Sequence, residues 1–393
     1  MTSPAPDPSP RGAKVRVTWV DTGRGIAITL VALFHATNWL LGAGAHVEGW
    51  VQANLVMSSL RMPLFFTLAG LFAGKWVRGA WGPLWRHKVR LYLWVFLVWG
   101  AVGSVTYYAG VRMRGAGSLM SSIVQPYVLS PFMPRLELWF IWALALFFVV
   151  AKLTSRIRPG IQVAVAMAGA AVALSGWETA SPGWNGAVKY YGFFLVGMYG
   201  RDLVLRLGSA AGRPVLVAAF VVWLAVAVGL WALGWREVLG LYFVNCCLGV
   251  LGGIALSRAL ARWALLRSLG SQTLPIYLAH TPIIITCAVL LSHTGLLTVP
   301  LVEVLGPPAL AAAAIALALA LHRAAQRSGA GWLYAPPDWF DVGTRPLAAR
   351  ERDAVAAVPV STTAATAAAA TAAVSTGAAA GADAVATTAE PRP

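Results

Sequence analysis

Along this chain, long apolar runs alternate with short segments of charged or turn-forming residues. Ten such runs cover approximately 25–42, 53–74, 91–110, 137–151, 161–175, 187–200, 214–234, 239–257, 273–292 and 301–322. Several reach roughly 20 residues, the length a helix needs to cross a hydrocarbon core of about 30 Å. A backbone inside lipid must satisfy its own hydrogen bonds, and without a barrel pattern only helices do so. The pattern therefore predicts an all-α fold, a polytopic transmembrane bundle of about ten helices over residues 17–322, behind a cytoplasmic segment at 1–16. After His322 the pattern breaks. Residues 323–353 read as a juxtamembrane segment in which Gly331 to Phe340 (GWLYAPPDWF) is expected against the lipid headgroups. Residues 354–393 are mainly Ala, Thr, Val and Gly; with almost no large side chains they cannot bury a core, and a disordered tail is expected.

Composition supports a lipid-embedded chain. Fifty-nine per cent of residues are hydrophobic and 11% charged, far below the quarter or so typical of soluble domains. The net charge of +16 would suggest nucleic acid if it lay on one soluble face, but Lys and Arg fall between the apolar runs. If the N-terminus is cytoplasmic and every run crosses, 24 of the 30 basic residues lie on the cytoplasmic side, four (Arg112, Arg114, Arg135, Arg236) on the other, and Arg61 and Lys189 within spans. Losing one span would invert every later loop and destroy that bias, so charge supports both count and orientation. The expected place is the plasma membrane, multi-pass, with both termini cytoplasmic and the bilayer as partner rather than nucleic acid. Arg11, Lys14 and Arg16 before an apolar stretch resemble a signal peptide, but His35, Asn38 and Trp39 inside it favour a retained first span. Nine of the 18 Trp residues, among them Trp19, Trp50 and Trp263, lie near run ends, where an amphipathic ring suits the interface. Cys246, Cys247 and Cys287 lack metal-ligand spacing and read as small apolar side chains, so no metal is expected.

Ionisable groups at membrane depth are costly and mark functional positions. Five fall inside runs: His35, Arg61, Lys189, His280 and Glu303. Lys189 and Glu303 are close enough to run ends to reach water. His35 follows Arg24 by eleven residues, an axial rise of about 16.5 Å, and the two share one helix face to within about 20°. A cation at the membrane surface and an imidazole at mid-depth thus lie on one stripe. Imidazole, with its pKa near 6.5 in water, suits proton transfer; a positive-inside anchor plus a hydrogen-bonded core histidine explains the same pair. Arg61, about 13 Å from the outer end of its run, must keep its charge and find an acceptor or a water-filled cavity. Nearby Pro63 frees a backbone carbonyl. His280 lies about 13 Å deep from the other side. The three reach similar depth on three spans.

These segments together resemble the acyltransferase type 3 family of integral membrane O-acyltransferases, closest to its short, unfused, sugar O-acetylase-like members. Asp21-Thr22-Gly23-Arg24-Gly25 with His35 resembles the first-helix signature of Arg, ten residues, then His. Arg61 to Gly70 (RMPLFFTLAG) resembles the second-helix signature, Leu138-Trp139-Phe140 a recurring Leu-Trp-Phe element, and Tyr277 to Pro282 a late Tyr-Leu-x-His-x-Pro element. The likeness spans roughly 17–322. Two positions depart from it: Ala69 replaces a common Ser, and Glu137 replaces a common His before Leu-Trp-Phe. The resemblance implies transfer of an acyl group, usually acetyl, from cytoplasmic acyl-CoA, a substrate rather than a resident cofactor, to a hydroxyl of a carbohydrate, lipid-linked or secondary-metabolite acceptor. It casts His35 as general base and Arg61 as stabiliser of the oxyanion or positioner of the donor. Arg24, Arg86, Lys88 and Arg90 would bind the donor's phosphates, with Asp21, Tyr277 and His280 in support; His280 reads first as a packing or hydrogen-bonding residue. A secondary transporter or flippase of glycans or small molecules is the alternative, disfavoured by the lack of an Asp or Glu at clear mid-depth and of internal repeats.

Overall fold

The computed structural model describes residues 17–116, 118–134 and 137–341. The N-terminal segment 1–16, Arg135 and the tail 354–393 fall outside them. Among the described residues all regular structure is helical, and ten helices have 15 residues or more: α1 (Thr18–Gly42), α2 (Glu48–Gly70), α3 (Arg90–Met113), α4 (Trp139–Leu153), α5 (Pro159–Ala173), α6 (Pro182–Tyr199), α7 (Arg213–Ala232), α8 (Leu241–Ala259), α9 (Thr273–Ser292) and α10 (Pro300–Arg327). Each apolar run of the sequence falls on one of these. Among the described residues, six helices are long and apolar enough to span a membrane by themselves: α1, the unit Trp81–Met113 containing α3, α7, α8, α9 and α10. Helices α4 and α5 are apolar but only 15 residues long. Helices α2 and α6 are not among the six, and both carry polar groups inward, Asn54, Ser59 and Arg61 on α2 and Asn185 on α6. Of these, Asn54 and Arg61 line a cavity, Ser59 accepts from Trp223, and Asn185 bonds Thr179.

Helix ends follow local chemistry. Proline stands in the first turn of α5, α6, α7 and α10, where its missing N–H is no loss. Gly234 (φ +68°) and Gly240 (φ +81°) adopt the left-handed conformation on either side of the short turn Trp235–Glu237, which a side-chain-bearing residue would resist. That turn delivers Arg236 to the bundle interior.

Hydrogen bonds between elements fix which ends lie together. Arg24 near the start of α1 donates to the Leu68 carbonyl at the end of α2 (3.3 Å). Lys152 at the end of α4 reaches the Val77 carbonyl (2.8 Å) and the Gly79 carbonyl, and Arg258 at the end of α8 reaches Ala211 (2.6 Å). These gather the basic loops at one end of the bundle. At the other end Arg114 donates to the Asn38 carbonyl (3.4 Å), Trp184 to Phe132 (2.8 Å) and Trp50 to Val304 (2.9 Å). Helix α1 is central, with 61% of its most apolar window buried, whereas α7 is 17% buried and faces lipid. Around α1 stand α2, α9, α10 and the short helix Ala264–Ser271.

Close approach has specific causes. Pro63 removes the N–H that would bond the Ser59 carbonyl. At that carbonyl α8 presents Gly249, where a Cβ would come to 2.2 Å. The Ser59 hydroxyl in turn accepts from the Trp223 indole (3.0 Å), so one kink-prone turn joins three helices.

The segment expected at the headgroups is tied to α3 through its backbone. The chain after α10 packs along α3. Trp94 and Trp99 donate to the carbonyls of Trp332 (2.6 Å) and Leu333 (2.8 Å), and Tyr334 is buried against Trp99 and His322. Tyr334 is its buried ring, while Trp332 and Trp339 stay exposed on the outer surface.

Candidate functional site

His35 sits mid-way along α1, and its ring meets two others. His280 of α9 approaches edge-on, with ring centroids 5.3 Å apart, and Phe34 lies at 5.1 Å. The His280 Nδ1 faces the carbonyls of Ile276 (3.1 Å) and Tyr277 (2.7 Å). Both are acceptors, so Nδ1 carries the proton and Nε2 accepts from the Thr281 hydroxyl at 3.1 Å. His35 is thus set against a buried imidazole whose two nitrogens are both bonded. The Tyr277 hydroxyl donates to the Glu137 carbonyl and its ring packs on Phe140 at 5.3 Å. The Leu138-Trp139-Phe140 element is thereby tied to α9. The Glu137 side chain accepts from the Trp39 indole, so the carboxylate at this departure from the family pattern has a partner on α1.

Arg61 is buried on α2 against the same face of α1. Its guanidinium lies over the Phe34 ring at 4.3 Å and donates to Asn54 Oδ1 (3.3 Å) and the Leu30 carbonyl (3.4 Å). Asn54 passes the network on by donating to Thr37 Oγ1 (3.0 Å) and the Trp50 carbonyl (2.9 Å). Among the described residues no carboxylate pairs with Arg61. A charge this deep is held by a ring face and neutral oxygens, together with whatever enters the space beside it.

Two cavities lie along these helices, and Arg61 lines one of them. One, of about 440 Å³, is lined by Phe34, Asn38, Asn54, Arg61 and Tyr190, and includes Glu178 and Arg236 from the loops opposite the basic end. The other, of about 260 Å³, is lined by Arg24, Lys88, Phe72, Tyr92, Thr273 and Tyr277 at the basic end. Arg24 lies over the Phe72 ring at 5.1 Å, and Lys88 stands about equally far from the rings of Trp76 (5.8 Å), Tyr92 (6.0 Å) and Phe148 (5.9 Å). The ammonium thus projects from an aromatic collar into the cavity, its stem shielded. On α1, Arg24 lines one cavity and Phe34 and Asn38 line the other, while His35, next to Phe34, lines neither.

The other residues proposed from the sequence are placed differently. Arg86 does not line the basic cavity, and its Nε is buried without a partner. Arg90 turns away from Arg24 and Lys88: it donates to the Pro336 (3.1 Å) and Pro337 (2.9 Å) carbonyls and pairs with Asp341 at 3.4 Å. Asp21 lines a separate recess of about 290 Å³ with Arg267 and Ser268. In the basic cavity the structure therefore brings together Arg24, Lys88 and Tyr277, but not Arg86, Arg90 or Asp21. Arg90→Gln is expected to loosen the segment after α10, read as faster proteolytic cutting between 329 and 341, without raising the KM for any donor.

Asn54, Phe34, Tyr190 and Arg236 were not singled out by the sequence. Asn54 had a signal, since it lies seven residues before Arg61, on the same face of α2 to within about 20°. Arg236 had none, because it sits in a loop that reads as an ordinary outer turn.

Comparison with known proteins bears on this arrangement. The profile of a family described as an acyltransferase domain matches residues 17–323, which contain both cavities and all ten helices up to the last turn of α10. The chain belongs to this acyltransferase family. It is also similar to the inner membrane protein YcfT of Escherichia coli (strain K12), with 21% identity over 286 residues, covering 68% of this chain and 79% of that one. No solved structure matches.

Proposed function

We propose that this acyltransferase moves an acyl group, acetyl in the first instance, from cytoplasmic acyl-CoA to a hydroxyl of a carbohydrate or related acceptor. The observation that carries the reading is that α1, the helix that bears His35, lines a cationic cavity at the basic end with Arg24 and a polar cavity toward the opposite end with Phe34 and Asn38. The basic end is the cytoplasmic one, by the bias of Lys and Arg in the loops. Arg24 and Lys88 there suit the phosphates of a CoA donor, Lys as a point charge and Arg as a planar fork. The acceptor enters from the other side, beside Arg61.

His35 in its neutral form takes the proton from the acceptor hydroxyl as that oxygen attacks the thioester carbonyl. The tetrahedral oxyanion that forms lies where a fixed cation lowers its energy, and Arg61, already oriented by Asn54 and Phe34, is that cation. Collapse breaks the C–S bond. The CoA thiolate leaves toward the basic end and takes up the proton from His35, which returns the imidazole to its starting state. Acyl group, electron pair and proton all balance, with no further reactant.

The test is to incubate membranes with acetyl-labelled acetyl-CoA and follow the label. Label should enter a hydroxyl-bearing fraction as a mild-alkali-labile ester and be absent from membranes lacking the protein. Glycan flux that proceeds with no acetyl-CoA consumed would replace this reading with that of a carrier. Lys88→Gln is expected to raise the KM for acetyl-CoA about ten-fold, the loss of one charge-assisted contact, with a smaller change in kcat.

A further inference from the structure

The outer cavity carries more positive charge than its own carboxylates neutralise. Of its three cations, Lys189 is paired with Glu178 at 3.0 Å. Arg61 and Arg236 have no carboxylate within ion-pair distance among the described residues. Glu237, the remaining acid in the lining, is exposed.

Arg236 is held in place rather than left to wander. It stacks over the Tyr242 ring at 4.5 Å and donates through Nη2 to the Ser58 hydroxyl at 3.1 Å. Ser58 spends its one proton on the Leu55 carbonyl at 2.6 Å. Its oxygen therefore accepts both from Arg236 and from the Tyr242 hydroxyl at 2.6 Å. The consequence is a guanidinium fixed by a ring and a hydroxyl, with its other N–H donors uncommitted at the cavity wall. The turn that bears it is anchored as well, because the Gly240 N–H donates to Ser175 Oγ at 2.9 Å. A planar fork fixed in this way is suited to a carboxylate or phosphate. The ring faces and amides of Phe34, Tyr190, Asn38 and Asn54 are suited to the rest of a sugar, and about 440 Å³ lies within the range of small-ligand sites.

We propose that the acceptor is an acidic sugar unit, whose oxyanion is bound by Arg236 on its Ser58–Tyr242 mount while its hydroxyl is turned toward Arg61 and His35. This rests on the reading that the outer cavity receives the acceptor. The anion is a carboxylate of a sugar acid or a phosphate of a phosphorylated sugar; both share the chemistry that Arg236 recognises.

The test is binding to the purified full chain in detergent, followed by thermal shift, with glucuronate, glucose 6-phosphate, glucose and acetate as probes. Glucuronate or glucose 6-phosphate should raise Tm in a saturable way, and whichever does so identifies the anion. Glucose and acetate should not. Arg236→Gln should raise the half-saturating concentration about ten-fold or more, and Arg236→Lys, which keeps the charge but not the fork, should fall between. If Arg236→Gln does not fold, the lysine variant alone carries the comparison. Equal stabilisation by glucose or by acetate, no stabilisation by any probe, or unchanged half-saturation in the variants would overturn the proposal. Label transfer measured on the same preparations separates the two readings. Binding without transfer sinks the catalytic one, and transfer to neutral sugars only sinks this one.

Discussion

His35→Gln is expected to lower acyl transfer by about 10²–10⁴-fold, the usual contribution of a positioned general base. Glutamine has similar bulk and can still hydrogen-bond, but it cannot take the acceptor proton. The surroundings of His35 set the size of the effect. Its edge meets a buried His280 whose nitrogens are committed to Ile276, Tyr277 and Thr281, so that second imidazole is not free to stand in as base. The Glu137 side chain accepts from the Trp39 indole. Initial rates at saturating acetyl-CoA, with Tm measured on the same protein, check the prediction. A rate within three-fold of the parent would remove His35 from the chemistry. A large fall accompanied by a lower Tm would place it in packing, where Thr281→Val, disturbing His280 alone, should then have the same effect.

Much of this was legible in the residues, and what was not has a common cause. The ten apolar runs locate the ten helices because burial in lipid demands contiguous apolar length, a property of local sequence. His35, Arg61 and His280 stand out because ionisable groups at depth are costly; their joint placement depends on how α1, α2 and α9 rotate about their axes, which a run of apolar residues does not encode. The clearest case is the basic loop. Arg86, Lys88 and Arg90 look alike in sequence as phosphate ligands, yet across a few residues of helix their side chains point in different directions. Lys88 faces the cavity, while Arg90 faces the segment after α10. That segment's Trp and Tyr pattern gave no sign that its backbone carbonyls would accept from Trp94 and Trp99 of α3, or that Tyr334 alone of its rings would be buried. Arg236 was counted as an outer-loop charge. Two left-handed glycines turn it inward, and nothing short of tertiary structure would have paired it with Ser58.

Gly197→Ala is expected to destabilise the bundle by about 3 kcal/mol, the upper part of the range for forced overpacking, while Gly229→Ala is expected to be neutral or stabilising. Both glycines are helical, and intrinsic propensity favours alanine at each by about 1 kcal/mol, so the difference between the variants reports contact alone. At Gly229 on α7 a Cβ meets nothing within 4 Å. At Gly197 on α6 it would come within 2.0 Å of the Thr67 carbonyl oxygen, and the relation is mutual, since a Cβ at Gly70 of α2 would lie 2.1 Å from the Phe194 carbonyl. Each helix thus presents a glycine to the backbone of the other, the small-residue contact by which membrane helices gain close packing. Backbone cannot swing aside as a side chain can, so α2 and α6 must separate. The comparison is of Tm and the monodisperse fraction in detergent. The consequence reaches function by a direct route. Arg61 is carried by α2, and Tyr190 and Lys189 are carried by α6 on the wall of the same outer cavity. A displacement of one helix against the other moves the cation away from Phe34, Asn54 and the acceptor. Gly197→Ala should therefore lower transfer even in the fraction that folds, whereas the lipid-facing change at Gly229 should leave it alone. Equal Tm for the two variants would mean that the α2–α6 contact has room the geometry denies it.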